Sequence, residues 1–141
     1  NLYIGERTAE EIKMTLGSAY PREEVVSMKC SGRDLVSGLP NTITVTSTEI
    51  LEALEESLQL ICGAVHEVLE QTPPELSADI STTGIVINGG GALLYGIDKR
   101  IEKHTGINVI LAEDPRSCVA IGTGKALDSI HTLEKNSINK K

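Results

Sequence analysis

A short apolar run that leads directly into three consecutive glycines is the feature that most constrains what this chain can fold into. The run covers residues 84–88, and Gly89, Gly90 and Gly91 follow it at once. A short continuous apolar run predicts a strand buried on both faces. Glycines at the carboxyl end of such a strand let backbone atoms lie against a ligand. They are also common in plain strand-to-helix turns, so the pattern alone leaves both interpretations open.

The residues after the glycines predict a second strand, parallel to the first. Leu94, Ile97 and Ile101 recur at helical spacing, and Gly106 ends that pattern. Val109–Leu111 is the next buried strand. A strand, a helix and a further strand in this order predict a parallel pair with a right-handed crossover. The chain is therefore expected to be α/β.

The first half of the chain predicts a helix followed by a two-stranded ribbon. The helix is expected over residues 6–16, with Thr8 and Glu11 in capping-box spacing. Two runs rich in β-branched residues, 25–30 and 42–46, predict strands. Glycine, asparagine and proline residues between these runs supply the turn, which indicates an antiparallel pair.

Three further helices are predicted from their capping residues. Thr46 and Glu49 form a second capping box, and apolar residues then recur at helical spacing to about Gln71. Thr72 is expected to cap a short helix that has Glu75 at its third position. The last helix is expected to be capped by Asp114 and opened by Pro115, and the chain from Ser129 onward is expected to be a frayed tail.

Composition excludes several classes of function. The net charge of −7 argues against a broad basic surface for nucleic acid. The absence of Trp and Phe removes aromatic platforms for stacking bases. No apolar stretch approaches the roughly 20 residues that cross a bilayer, and no signal segment opens the chain, so a cytoplasmic protein is expected. Three widely spaced cysteines suit buried thiols in a reducing compartment: Cys30, Cys62 and Cys118.

Few side chains in the sequence suggest a catalytic, ligand-binding or metal-binding role. Glu10 and Lys13 are three residues apart and share one helix side, where an acid can accept from a hydroxyl and a lysine stem can lie against a ring. A surface ion pair is the alternative. The three histidines have no second ligand at metal spacing in the sequence, so neither a metal site nor a catalytic residue is predicted; they are His66, His104 and His131.

The segment Gly122-Thr123-Gly124-Lys125 is similar to the end of a phosphate-binding loop. It fails the pattern at two places, because Val119 stands where the leading glycine belongs and Ala126 stands where magnesium needs a hydroxyl. A phosphate-binding loop is therefore rejected.

Taken together, six segments resemble a known family, the rod-shape-determining MreB and Mbl proteins, which are bacterial actins. The segments are GERTAEEIK at 5–13, GRDLVSGLP at 32–40, TPPEL at 72–76, GGGALL at 89–94, AEDP at 112–115 and VAIGTGKAL at 119–127. The family usually has Thr in place of Asn88. The resemblance is expected to extend to Ser129, and no counterpart is predicted for residues 133–141.

The resemblance implies an actin-like ATPase fold, of the ribonuclease H-like type, with two large domains on either side of a nucleotide. This chain would be a fragment that supplies part of the second domain, as its start at Asn1 rather than Met also suggests. The expected division has a core helix at 1–17, a small α+β outer lobe at 18–72, nucleotide-binding core at 73–128 and a tail at 129–141.

The resemblance also implies ATP as the ligand, with the first helix beside the adenosine and the glycines under the base and ribose. The residues that match are Ala9, Glu10, Glu11, Lys13, Gly89, Gly90, Gly91 and Ala92. The phosphate-binding hairpins, the magnesium ligands, the catalytic carboxylate and the membrane-contacting segment would precede this chain. The fragment alone would be non-catalytic, and the full-length protein would be a slow ATPase.

Self-association into filaments and membrane-associated cell-wall machinery are the partners that the resemblance implies. Two alternatives stay open: a sugar kinase or Hsp70-type ATPase of the same superfold, or an interaction module that binds no nucleotide. The Gly-Leu-Pro motif at 38–40 and the Thr-Pro-Pro-Glu motif at 72–75 favour the filament protein, because they resemble that family alone.

Overall fold

The computed structural model describes residues 1–129. The frayed tail predicted from Ser129 onward lies outside these residues except for Ser129 itself, and His131 also lies outside them. Within these residues, helices and strands are mixed along the chain in an α/β arrangement, and the strands form two separate sheets. The elements are β1 (Leu2–Tyr3), α1 (Glu6–Leu16), β2 (Ser27–Asp34), β3 (Pro40–Thr46), α2 (Ser47–Glu70), α3 (Pro74–Thr83), β4 (Ile85–Ile87), α4 (Ile97–Thr105), β5 (Val109–Leu111) and α5 (Cys118–Asp128), with a 3-10 turn at Gly90–Leu93.

The first sheet is antiparallel, in the order β1-β2-β3. Ser27 pairs with Thr46 and Arg33 with Pro40, so the predicted ribbon is confirmed. It is longer than expected, since the glycine and charged residues at 32–34 continue β2 rather than form a turn. β1 was not predicted, because a two-residue strand carries no alternation; Leu2 pairs with Asp34 at the edge of β2.

Helix starts show where capping patterns succeed and fail. Thr46 and Glu49 form the predicted capping box at α2, in which each side chain bonds the other residue's backbone N–H. The helix predicted over residues 6–16 is confirmed, but the capping box at Thr8 and Glu11 is wrong, since α1 begins at Glu6 after Gly5 and has no side-chain cap.

The caps predicted for the two later helices are also wrong. α3 begins at Pro74 after Pro73, so Thr72 does not cap it and Glu75 is its second residue. α5 begins at Cys118 rather than Pro115, because the Asp114 carboxylate accepts from the backbone N–H of Ser117 (3.3 Å) and closes a turn there first.

The second sheet consists of the predicted parallel pair, in which Ile85 lies opposite Val109 and Ile87 opposite Leu111. Gly84 leads into it at a φ of +85°, and a Cβ there would lie 2.7 Å from the Asn108 carbonyl oxygen. The prediction that β4 is buried on both faces is wrong for this chain. Val86 is 60% exposed, so only one face of the sheet is covered.

Two apolar clusters hold the elements together. One joins the inner face of α2 to α4 and β5 around Leu58, Cys62 and Ile101. The other packs α1 on the antiparallel sheet, with the buried side chains of Ile12 and Leu16 among its members. Each cluster thus combines elements from more than one of the predicted domain ranges, and the division at residues 17, 72 and 128 stays a prediction.

Polar and sulfur-containing side chains refine this picture. Cys30 and Cys62 are buried free thiols, and Cys118 is half-buried. The Glu55 carboxylate of α2 receives two hydrogen bonds from the Arg100 guanidinium of α4, at 2.6 and 2.8 Å. No helix in the described part of the chain is long and apolar enough to cross a membrane.

Candidate functional site

The glycine turn follows β4 and is anchored to the neighbouring strand. Gly89 has a φ of +84°, a conformation that favours glycine. Its N–H donates to the Pro115 carbonyl at 2.6 Å, and the Ala112 N–H donates to the Ile87 carbonyl at 3.1 Å. The 3-10 turn at Gly90–Leu93 then begins, with Ala92 buried beneath it. The turn is therefore held from below while its glycines remain at the surface.

Open space lies above this turn. A Cβ built on Gly89, Gly90 or Gly91 would meet no atom of residues 1–129 within 4 Å. By contrast, a Cβ on Gly17 would meet the Leu94 side chain at 2.7 Å, because that side chain packs directly against the backbone at Gly17. The three glycines are not required by packing within the chain, so a ligand can approach their backbone.

The predicted residues of the first helix all lie on its exposed surface: Ala9, Glu10, Glu11 and Lys13. The Glu10 carboxylate and the Lys13 ammonium form an ion pair at 2.5 Å, with both side chains about half exposed. Such a pair adds little stability. Both charged groups therefore remain accessible to a ligand.

The end of α1 meets the end of the glycine turn directly. Ser18 forms a parallel bridge with Tyr95, and the Ala19 N–H donates to the Tyr95 carbonyl at 2.7 Å. These contacts run through residues 17–20 and 94–96, rather than through the predicted site residues themselves. The structure thus brings the two predicted segments to a common junction.

A third segment beside the glycine turn was missed from the sequence as part of the site. Residues 112–118 are attached to it through the Gly89–Pro115 hydrogen bond, and they line a shallow concavity with α5. Hydrogen bonds from the Ser117 side chain and backbone lower the pKa of Asp114 below its usual value. The signal available was the position of Asp114 and Pro115 directly after the second parallel strand.

Histidines that looked isolated in the sequence are partly paired in space. The His66 and His104 rings meet edge to face at 5.9 Å, and His66 Nε2 lies 3.2 Å from the Glu70 carboxylate. This cluster joins α2 to α4 and contains none of the predicted site residues. Within residues 1–129, no three His, Cys, Asp or Glu side chains are grouped so as to hold a metal ion.

Comparison with known proteins identifies the family. The family model described as MreB/Mbl protein matches residues 1–135. The cell shape-determining protein Mbl of Bacillus subtilis is 51% identical over 140 residues, which are 98% of this chain and 41% of that protein. The cell shape-determining protein MreB of Escherichia coli is 54% identical over 127 residues, covering 90% of this chain and 37% of that protein.

Solved structures agree. MreB5 of Spiroplasma citri bound to ADP superposes with a TM-score of 0.88 at 38% identity, over 100% of this chain and 42% of that one. The AMPPNP-bound form gives the same TM-score at 39% identity, over 97% and 41%. A MamK double helical filament shares the fold, with a TM-score of 0.64 at 24% identity over 81% and 34%.

These matches confirm the predicted fold class, part of an actin-like ATPase fold, and the resemblance of the six segments. The prediction that residues 133–141 have no counterpart is wrong, because the family model matches to residue 135 and the Bacillus subtilis protein aligns with 98% of this chain. The chain spans about 40% of the length of the relatives that it matches. On the family model and on relatives about half identical to it, this chain belongs to the MreB/Mbl family of cell shape-determining proteins.

Proposed function

We propose that this chain forms the adenosine side of an ATP site in a filament-forming protein of the relatives' length, which we call the full-length protein. The observation that carries this proposal is the open space above Gly89, Gly90 and Gly91, next to the junction with α1. The structures of MreB5 bound to ADP and to AMPPNP support it, because they cover nearly all of this chain.

Each predicted residue has a distinct part in this site. The glycine backbone presents a flat surface to the base and ribose, since no side chain stands above it. The exposed Glu10 carboxylate accepts from a ribose hydroxyl, and the Lys13 stem lies against the base. Ala9 and Glu11 border this contact on α1, and Ala92 anchors the turn from its buried side.

The fit is to adenosine rather than to the phosphates. As the resemblance implies, we assign the magnesium ligands and the catalytic groups to the remainder of the full-length protein, and only the adenosine contacts to this chain. In this proposal the full-length protein is a slow ATPase and this chain alone is non-catalytic.

Self-association and cellular context complete the proposal. The fold shared with the MamK double helical filament supports a polymer, and heterologous contacts that do not close produce open filaments. Part of each contact face would lie on this chain. We propose that the filament organises cell shape and wall synthesis, as a cytoplasmic protein associated with membrane-bound cell-wall machinery.

A sugar kinase or an Hsp70-type ATPase is the second candidate, because these share the superfold. The two relatives reported above are about half identical to this chain, and both are cell shape-determining proteins. This favours the filament protein. A module that binds no nucleotide is the third candidate, and a nucleotide titration separates it from the other two.

The site is tested with Gly90→Val in the full-length protein. A branched side chain would fill the open space and should weaken ATP binding at least tenfold, or by about 1.4 kcal/mol. Gly63→Val is the matched control, since Gly63 also has open space around it but lies on the outer face of α2. Unchanged ATP affinity in a folded Gly90→Val protein would remove the glycine turn from the site.

Polymerisation is tested by pelleting and negative-stain microscopy, with and without ATP and magnesium. The full-length protein should form ATP-dependent filaments, whereas this chain alone should form only small, nucleotide-independent assemblies. Ordered ATP-dependent filaments from the 141-residue chain would overturn the assignment of the contact faces and of the phosphate site.

A further inference from the structure

The junction between α1 and the glycine turn contains an arginine that none of the assigned site residues accounts for. We define the joint as residues 17–22 and 94–96. Arg22 reaches across it in two directions: its Nη2 donates to the Gly17 carbonyl at 3.1 Å, and its guanidinium lies 4.3 Å from the centroid of the Tyr95 ring. One side chain therefore contacts both segments of the proposed site.

The rest of the joint is tightly packed and leaves little room for adjustment. Ser18 and Ala19 are buried, and the Ser18 hydroxyl donates to the Tyr20 carbonyl at 2.6 Å. A Cβ on Gly96 would lie 2.5 Å from the Tyr20 Cβ, so the two backbones touch there. Close backbone packing fixes the distance between the segments, and Arg22 adds a contact that depends on their orientation.

Stability alone does not account for an arginine at this position. Among the described residues the buried Arg22 Nε has no hydrogen-bond acceptor, and a buried donor without a partner is unfavourable for folding. The Gly17 carbonyl is at the C-terminal end of α1, where a cation is favoured, and the ring face attracts a guanidinium. The Arg22 guanidinium is thus oriented by the Gly17 carbonyl and the Tyr95 ring, and this orientation leaves its Nε without an acceptor among the described residues.

We propose that Arg22 is a positioning residue for the nucleotide site, which holds α1 at a fixed orientation to the glycine turn by bridging Gly17 and Tyr95. The inference rests on the proposed function, because it concerns how Glu10 and Gly90 are kept in register for one ligand. Arg22 acts through α1, and its own guanidinium is directed to the Tyr95 ring and the Gly17 carbonyl.

The direct test is the ATP affinity of the full-length protein, measured by calorimetry with ATP and magnesium. Arg22→Met keeps the length of the side chain but removes its donors and charge, and it should weaken binding about tenfold. Tyr95→Leu should have a similar effect, whereas Tyr95→Phe keeps the ring and should bind normally. Arg33→Met is the matched control, because Arg33 faces the Tyr3 ring at 5.6 Å on the antiparallel sheet.

A double-mutant cycle with Glu10→Gln separates positioning from a general loss of structure. If Arg22 acts by orienting Glu10, the double variant should bind ATP more tightly than the sum of the two single losses predicts. Additive losses, or loss of affinity in Tyr95→Phe, would overturn the inference. Thermal melting of each variant identifies any that are unfolded, and Tyr95→Leu provides the second variant if Arg22→Met is one of them.

The outcomes also distinguish this inference from the proposed function. Glu10→Gln and Gly90→Val that bind ATP normally would overturn the nucleotide site, and the positioning role with it. Weak binding in Glu10→Gln together with normal binding in Arg22→Met would overturn the positioning role alone.

Discussion

Two regions of this chain differ in how completely they bury their apolar side chains. In the closed region, α2 packs against α4 and β5, and Leu58 in its centre is 2% exposed. In the open region, formed by β4, the glycine turn and α5, no residue of α5 is buried, and Val119 is 62% exposed. The two regions meet at the parallel sheet.

From this difference we expect substitutions in the closed region to act mainly on stability, and substitutions in the open region to act mainly on the proposed site. Side chains in the closed region fill the space between elements, so a change there alters stability. The open region combines exposed apolar side chains with glycines that no other described residue covers, so a change there should alter contacts with a ligand or with other chain segments.

The largest expected effect is in the closed region. Leu58→Ala should lower the free energy of unfolding by about 2 to 5 kcal/mol, because it leaves a cavity under α2. Leu60→Ala, two residues along the same helix, should change it by less than about 0.5 kcal/mol, since Leu60 is 70% exposed. Urea denaturation of both variants measures the difference, and equal losses would show that the buried face of α2 is wrongly assigned.

A smaller loss of stability is expected when a helix cap is removed. Thr46→Ala should cost about 1 kcal/mol, because it removes the side chain that accepts from the Glu49 N–H at the start of α2. Thr8→Ala is the counterpart, since the sequence suggests a capping box there but α1 begins at Glu6 without one. It should cost less than about 0.5 kcal/mol. A comparable loss in both variants would favour the sequence pattern over the observed helix start.

The ion pair between α2 and α4 should make a small, pH-dependent contribution. Hydrogen bonds from Arg100 lower the pKa of Glu55 from its usual 4.5 to about 2. Glu55 binds its proton less tightly in the folded state than in the unfolded state. The contribution of the ion pair to stability is therefore complete above about pH 4.5 and is lost as the pH falls towards 2. Both side chains are partly exposed, so solvent reduces the effect below that of the Thr46 cap.

Glu55→Gln isolates this contribution from that of the other carboxylates. The difference in melting temperature between the original chain and Glu55→Gln should shrink as the pH falls from 5 to 2. Glu56→Gln is the neighbouring control and should give a difference that changes less with pH. A constant difference for Glu55→Gln would mean that Arg100 does not engage Glu55 in solution.

The sequence predicted the closed region better than the open one, for a physical reason. Helical spacing from Ile50 onward and the Thr46 box record the contacts that α2 makes within the chain. β4 has the composition of a strand buried on both faces, but nothing in the described chain covers Val86. A side-chain pattern shows that a surface is apolar, and it does not show which segment covers that surface.

The candidate site divides in the same way. The glycines at the end of a parallel strand and the pair formed by Glu10 and Lys13 could be recognised locally, and the resemblance assigned both to one ligand. The joint could not be predicted, because Arg22 and Tyr95 are far apart in sequence and neither belongs to a periodic pattern. Capping residues were misassigned at Thr8, Thr72 and Asp114 because short polar side chains near a helix start also form turns, as Asp114 does with Ser117.

The smallest expected effect tests the open region most directly. Val119→Thr replaces a methyl group with a hydroxyl on the exposed face of α5, where water can hydrogen-bond it, so the stability of this chain should change by less than about 0.5 kcal/mol. The same substitution at Val109, 8% exposed in β5, would bury the hydroxyl and should cost about 1 to 3 kcal/mol. If another segment of the full-length protein packs on this face of α5, Val119→Thr should lower the stability of the full-length protein as well. Thermal melting of both variants in both proteins gives the comparison, and a large loss for Val119→Thr in this chain alone would show that α5 packs more closely than its exposure indicates.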